Sequence, residues 1–202
     1  MFPVNKSLAQ QLKITESDIQ ERKDLLGITL DIEETLFSFR DISIQIVDAV
    51  VDEFYQKQTS VPAIRSIIGD SETLDRLHNA MRLYVLRLFG GQYDLEYVNS
   101  RLRIGKVHAR IGVPPKFYVS SLHQLETILV EHLLRAAKLD TPPVAITRIF
   151  LFDLQLVFDT YIQGLVSEVE VARDEIRDYS ETLERKIEER TAKIISWHKK
   201  AN

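Results

Sequence analysis

Apolar residues recur every three or four positions along most of this chain, and glycine and proline divide the pattern into helix-length pieces. Leu36, Phe39, Ile42, Ile46, Val50 and Phe54 form one stripe, the spacing of a helix that buries one face. A second stripe starts at Ser71 and carries Leu74, Leu77, Met81, Tyr84, Val85 and Leu88 before Gly90-Gly91 closes it. Thr15-Glu16-Ser17-Asp18 offers a capping hydroxyl and an acidic first turn, which predicts a short helix to Leu26 stopped by Gly27. Asp31 and Glu34 predict another start, with a bend at Arg40-Asp41 that splits the following stretch in two. Pro62 to Gly69 predicts a short segment, and Leu95 to Ile111 a helix with a soft interior near Gly105. The pairs Pro114-Pro115 and Pro142-Pro143 each end one helix and open the next, because proline at the first helical position lacks an N–H that is not needed there. The first of these helices is expected to reach about Leu139 and the second to begin near Val144.

The last helix is not expected to stop. Leu165, Val169, Ala172, Ile176, Tyr179 and Leu183 follow alternating steps of four and three, a coiled-coil seam. The apolar position then shifts to Ile187 and Ile194, a stutter that locally unwinds a supercoil. From Glu168 onward the rest of this helix is too polar to pack inside a globule. The pattern therefore predicts an all-α chain: an N-terminal extension with a short helix over 1–26, a helical domain over 27–165, and a coiled-coil stalk over 166–202. Helices of unequal length suit a globin-like stack better than a regular four-helix bundle.

Composition narrows the function. Of the 202 residues, 45% are hydrophobic and 28% charged, enough for a core and a solvated surface. A net charge of −4 argues against a nucleic-acid binder, which needs a clustered basic face. The chain has no cysteine, which removes disulfides, thiolate metal sites and cysteine nucleophiles and fits a reducing cytoplasm. No secretory signal is read at the N-terminus, and no run of about 18 uninterrupted apolar residues predicts a membrane span. No nucleotide loop, nucleophile elbow or kinase signature is present.

The residues that can carry chemistry are His108 and Tyr55. Leu102, Ile104, Val107 and Ile111 surround His108 along its helix, giving a neutral imidazole the dry setting an axial haem ligand needs. Tyr118, one turn beyond the proline pair, can meet the edge of that ring. His78 lies next to Leu77 but is turned about 100° around the helix; it is read as facing elsewhere, with a sixth-ligand role left open. His123 and His132 read as surface or structural groups, and His198 lies at the end of the stalk. Arg103, Lys106 and Arg110 are candidates for haem propionates, with solvent as the commoner fate.

The run Ile104-Gly-Lys-Val-His108-Ala-Arg-Ile-Gly-Val-Pro-Pro-Lys-Phe-Tyr118 resembles the proximal segment of the globin-coupled sensors. Asp52-Glu53-Phe54-Tyr55, Asp75-Arg76-Leu77 and the Leu88-Phe89-Gly90-Gly91 helix end support the likeness, which spans about Leu25 to Leu165. The 53 positions between Tyr55 and His108 also match the family's distal tyrosine and proximal histidine. The resemblance implies haem b with His108 as the iron ligand, Tyr55 as hydrogen-bond donor to a bound gas, and Tyr118 beside the proximal ring. It places Leu77, Ala80 and Met81 on the gas side, with Phe54 and Leu88 as further lining residues. It further implies a cytoplasmic homodimer, joined through the last two globin helices and the stalk, that is not itself an enzyme. Such a dimer senses dioxygen, carbon monoxide or nitric oxide and signals to an output domain, a histidine kinase or diguanylate cyclase, beyond this chain. A haem-free globin-like interaction module is the alternative. A globin-like enzyme is a third reading, against which the apolar Leu77, Ala80 and Met81 stand.

Overall fold

The computed structural model describes residues 6–201. Among them the chain forms nine helices: α1 (Leu8–Gln11), α2 (Glu16–Leu26), α3 (Leu30–Ser38), α4 (Arg40–Ser60), α5 (Pro62–Ile68), α6 (Ser71–Leu88), α7 (Leu95–Arg110), α8 (Pro115–Ala137) and α9 (Val144–Ala201). The chain divides into two compact units, the first running through Tyr161 and the second from Ile162.

Local chemistry explains most helix ends. Thr15 accepts the Asp18 N–H at 3.2 Å while the Asp18 carboxylate accepts the Thr15 N–H at 2.9 Å, so two orphan donors at the start of α2 are satisfied together. Gly27 ends α2 in the left-handed conformation, φ 63°, which costs a glycine little. The bend expected at Arg40-Asp41 sits one residue earlier, at Phe39, between α3 and α4. One element was not expected: Ser7 caps the four-residue α1, and the Ala9 N–H donates to Asn99 Oδ1 at 3.0 Å, tying α1 to α7. Residues assigned from sequence to an extension thus pack within the first unit, with Ala9, Ile14 and Ile19 buried.

The core of the first unit is built around α4. Its Ile46, Val47, Val50, Val51 and Phe54 meet α8 residues Leu125, Ile128, Leu129 and Leu133 and the start of α9, where Ile146, Ile149, Phe152 and Leu156 are buried. By length and composition alone the apolar part of α9 would suit a membrane span; here many of its apolar side chains lie in the core. Among the helices before α9, α6 packs chiefly on α4 and α7 on α1.

The helix over Gly105 is continuous rather than softened. A Cβ at Gly105 would lie 2.2 Å from Thr160 Oγ1 and 3.0 Å from Val157 Cα, so α7 and α9 touch backbone to backbone there. Gly105→Ala gains about 1 kcal/mol of helix propensity but overpacks the crossing at a cost of about 1–3 kcal/mol. The expected net result is a lower thermal midpoint, read by circular dichroism, with partial recovery when Thr160→Ala is added.

In the second unit the seam residues Leu165, Val169, Ala172, Ile176, Tyr179, Leu183 and Ile187 are all exposed or nearly so in the single chain. Arg177 pairs with Asp174 at 3.3 Å and with Asp178 at 3.8 Å. The side chains of Ile194 and His198 lie outside the described residues.

Candidate functional site

Asp94 starts α7 by accepting the Glu96 and Tyr97 N–H groups, each at 3.0 Å. The helix ends beyond Arg110, where Gly112 at φ 71° turns the chain toward the prolines that open α8. His108 stands in the last turn of α7. Its Nδ1 lies 2.9 Å from the Ile104 carbonyl. A carbonyl can only accept, so this contact assigns the proton to Nδ1 and leaves Nε2 as the lone-pair nitrogen. Burial pulls the ring below its ordinary pKa, and the Ile104 carbonyl opposes this only partly. The imidazole is therefore neutral at neutral pH.

Tyr118 meets this ring edge-on, with centroids 5.1 Å apart and planes at 76°. The expected contact between the two exists, but the ring's hydrogen bond runs to the Ile104 carbonyl. Burial holds the Tyr118 phenol well above its ordinary value. Tyr161, the last residue of the first unit, donates its hydroxyl to the Val113 carbonyl at 2.9 Å. Arg103, Lys106 and Arg110 are exposed.

Tyr55 is buried on α4 and leans on α6. Its hydroxyl donates to the Leu77 carbonyl at 3.2 Å, and burial keeps the phenol protonated far above neutral pH. Phe54 packs edge-on to it at 5.1 Å. Leu77 and Met81 are half-buried, Ala80 is exposed, and Phe54 and Leu88 belong to the core. The neighbouring His78 stacks on Tyr55, with centroids 4.5 Å apart and planes at 22°. His132 bridges to Glu53 at 2.9 Å and joins α8 to α4, while His123 is exposed.

This donor set fits an axial-histidine haem. A carbonyl-oriented, neutral imidazole with a free Nε2 is what a metal-ligating histidine requires, and Tyr118 lies against the ring, while Val107 and Ile111, expected to keep it dry, are exposed. One buried group on α7 was not anticipated from sequence. Arg101 is fully enclosed beside Asp153 of α9, with Tyr84 and Tyr97 against it.

The protoglobin family model matches residues 15–167. The chain belongs to the protoglobin family. The "Heme-based aerotactic transducer HemAT" of Halobacterium salinarum is 27% identical over 172 residues, covering 78% of this chain and 35% of the transducer. The chain thus spans about a third of that relative's length. Among solved structures, the globin domain of the Geobacter sulfurreducens globin-coupled sensor superposes with a TM-score of 0.61 at 20% identity, covering 70% of this chain and 96% of that domain. At that identity the likeness speaks for the fold. The all-α, globin-like reading and the resemblance to globin-coupled sensors are both borne out. Within this protoglobin-family chain the matched segment takes in both Tyr55 and His108.

Proposed function

We propose that this chain is the gas-sensing portion of a signalling protein and that it binds haem b through His108. The observation that carries the reading is the His108 contact with the Ile104 carbonyl, 2.9 Å from Nδ1, which orients the ring and leaves Nε2 for iron. The bound haem supplies the iron to which dioxygen, carbon monoxide or nitric oxide attaches. The chain's own residues do the rest. His108 holds the group from one side, and Tyr118 borders the imidazole. Tyr55 would donate a hydrogen bond to the gas, beside the half-buried Leu77 and Met81 and the core residues Phe54 and Leu88, whereas Ala80, expected with them, is exposed and keeps out no water. The relative from Halobacterium salinarum is a transducer, which supports a sensing rather than catalytic role and an output beyond this chain; a cytoplasmic setting is part of the same proposal. The exposed seam from Leu165 to Ile187 supports a homodimer joined along the last helices and the stalk.

The test is an absorption spectrum of the purified protein after addition of haemin. A Soret band that shifts with carbon monoxide supports the reading, and a colourless protein favours the haem-free module. Tyr55→Phe removes one hydrogen bond in a dry site, about 1–2 kcal/mol, so dioxygen dissociation should quicken roughly 5- to 30-fold. Stopped-flow measurement of the dissociation rate checks this, with unchanged haem uptake as control.

A further inference from the structure

His78 was expected to face away from the distal side, yet its ring lies flat against the phenol of Tyr55. Three features define the arrangement. The two rings are nearly parallel, 22° apart, at a centroid distance of 4.5 Å. Asp52, on α4 one turn before Tyr55, approaches the His78 Nδ1 at 3.4 Å. The Tyr55 hydroxyl rests on the Leu77 carbonyl at 3.2 Å, a carbonyl that belongs to the residue just before His78. One short stretch of α6 therefore touches the phenol twice, by its backbone at the hydroxyl and by an imidazole on the ring face. The phenol oxygen lies on the axis of its ring, so it leaves the Leu77 carbonyl only when the whole side chain swings about the Cα–Cβ bond, and a ring packed flat on one face hinders that swing. The 3.2 Å bond is at the long limit for a hydroxyl donor, so the hydroxyl can leave the Leu77 carbonyl at small cost.

We propose that His78 is a positioning residue: its stack on Tyr55, steadied by Asp52, sets how readily the Tyr55 hydroxyl leaves the Leu77 carbonyl to reach a bound gas. This rests on the sensor reading for the gas, while the hold on the ring is a property of the polypeptide. His78 does not itself touch the gas or the iron. Its Nδ1 is turned to Asp52 and one ring face is covered by the phenol, and the coordination readout below tests the remaining nitrogen, Nε2, as a sixth ligand. Arg82 pairs with Asp48 at 2.6 Å one turn further along the same two helices, so the α4–α6 packing does not depend on the His78–Asp52 approach alone. The side chain of His78 is about a third exposed, 31%, so its replacement is expected to leave the fold intact.

The experiment has two arms. In the haem-free protein with ¹³C-labelled tyrosine, the Tyr55 ring resonances should move in His78→Ala and return toward their original positions in His78→Phe, which restores a flat ring. In the haem-loaded protein, dioxygen dissociation should change at least threefold in His78→Ala, and that change should vanish when Tyr55→Phe is already present. Ring resonances that stay in place, or dissociation effects of the two substitutions that multiply, overturn the proposal. A heme spectrum that passes from six- to five-coordinate in His78→Ala, without gas, also overturns it, because His78 would then be an iron ligand. If the unsubstituted protein takes up no haem, the sensor reading fails separately, and the resonance arm still decides whether His78 holds Tyr55.

Discussion

Replacing His108 by alanine should abolish stable haem uptake, with the Soret band lost on gel filtration and restored by millimolar free imidazole. The expectation follows from the ring's two nitrogens. Nδ1 is committed to the Ile104 carbonyl at 2.9 Å, so the nitrogen available to iron is the opposite one. Removal of a partner that merely orients a metal-bound histidine costs about 10–100-fold in affinity, and removal of the ligand itself must cost more. No neighbouring group can take over. Tyr118 meets the imidazole edge-on with a phenol that burial keeps protonated, and Arg103, Lys106 and Arg110 point to solvent. Rescue by free imidazole separates loss of the ligand from loss of the fold, since an unfolded variant has no slot for the small molecule to enter. Full haem retention in the alanine variant would remove His108 from the iron and with it the proposed function.

How much of this was legible in the sequence depends on the range over which each feature is determined. The capping of α2 by Thr15, the stop at Gly27 and the proline openings of α5 and α8 are settled within four or five residues, and those boundaries match. Phe39 displaces the expected bend by one position, a difference that helix ends routinely show. The short α1 has too few residues to display periodicity and is held by Asn99, far along the chain. Gly105 reads as a weakness when only its own helix is considered; the close backbone of Val157, invisible to local patterning, makes it a requirement. His78 was turned away from Leu77 by helical geometry, correctly, but the phenol of Tyr55 lies wide enough to meet both residues. The candidate site was found through His108 and Tyr55, whose roles came from the resemblance to globin-coupled sensors; local patterning alone did not decide them, and of the apolar neighbours expected to keep His108 dry, Val107 and Ile111 are exposed. Arg101 escaped notice because it sits among Asn99, Ser100 and Arg103 and reads as solvated. The one available signal was on its partner: Asp153 is the single charge in the run Ile149-Phe-Leu-Phe-Asp153-Leu-Gln-Leu-Val-Phe158, where an isolated acid calls for a counter-charge.

That buried pair carries the second large effect. Arg101 and Asp153 side chains are each 1% exposed, with Nε 2.9 Å from Oδ2. The approach is an ion pair rather than an aligned hydrogen bond, since Nε has no well-directed acceptor. The carboxylate is instead satisfied by Tyr84 at 2.8 Å and Tyr97 at 2.7 Å, and both tyrosine rings lie 4.2 Å from the guanidinium carbon. Burial pushes the Asp153 carboxyl up from its ordinary value, against the pull of Arg101 and the phenols. Burial likewise opposes the charge on Arg101, but Asp153 and the phenols outweigh it and the guanidinium is held protonated. We therefore read the pair as ionised, because arginine does not give up its proton in proteins and a neutral Asp153 would strand a buried cation. Asp153→Ala leaves that cation unpaired at a cost of about 3–5 kcal/mol, a large part of the 5–15 kcal/mol typical of a whole domain. For a chain of this size that lowers the melting temperature by roughly 6–20 °C. Replacing both partners, Arg101→Met with Asp153→Leu, should recover most of the loss, since apolar substitutes for a buried pair are often neutral. The contrast between the single and double variants in thermal unfolding is the decisive measurement. Equal damage in both would mean that the four-residue cluster contributes through shape, with its charges incidental. Because Arg101 stands two turns before His108 on α7 and Asp153 stands on α9, an intact pair fixes the helix that presents the imidazole against the helix that continues toward the stalk.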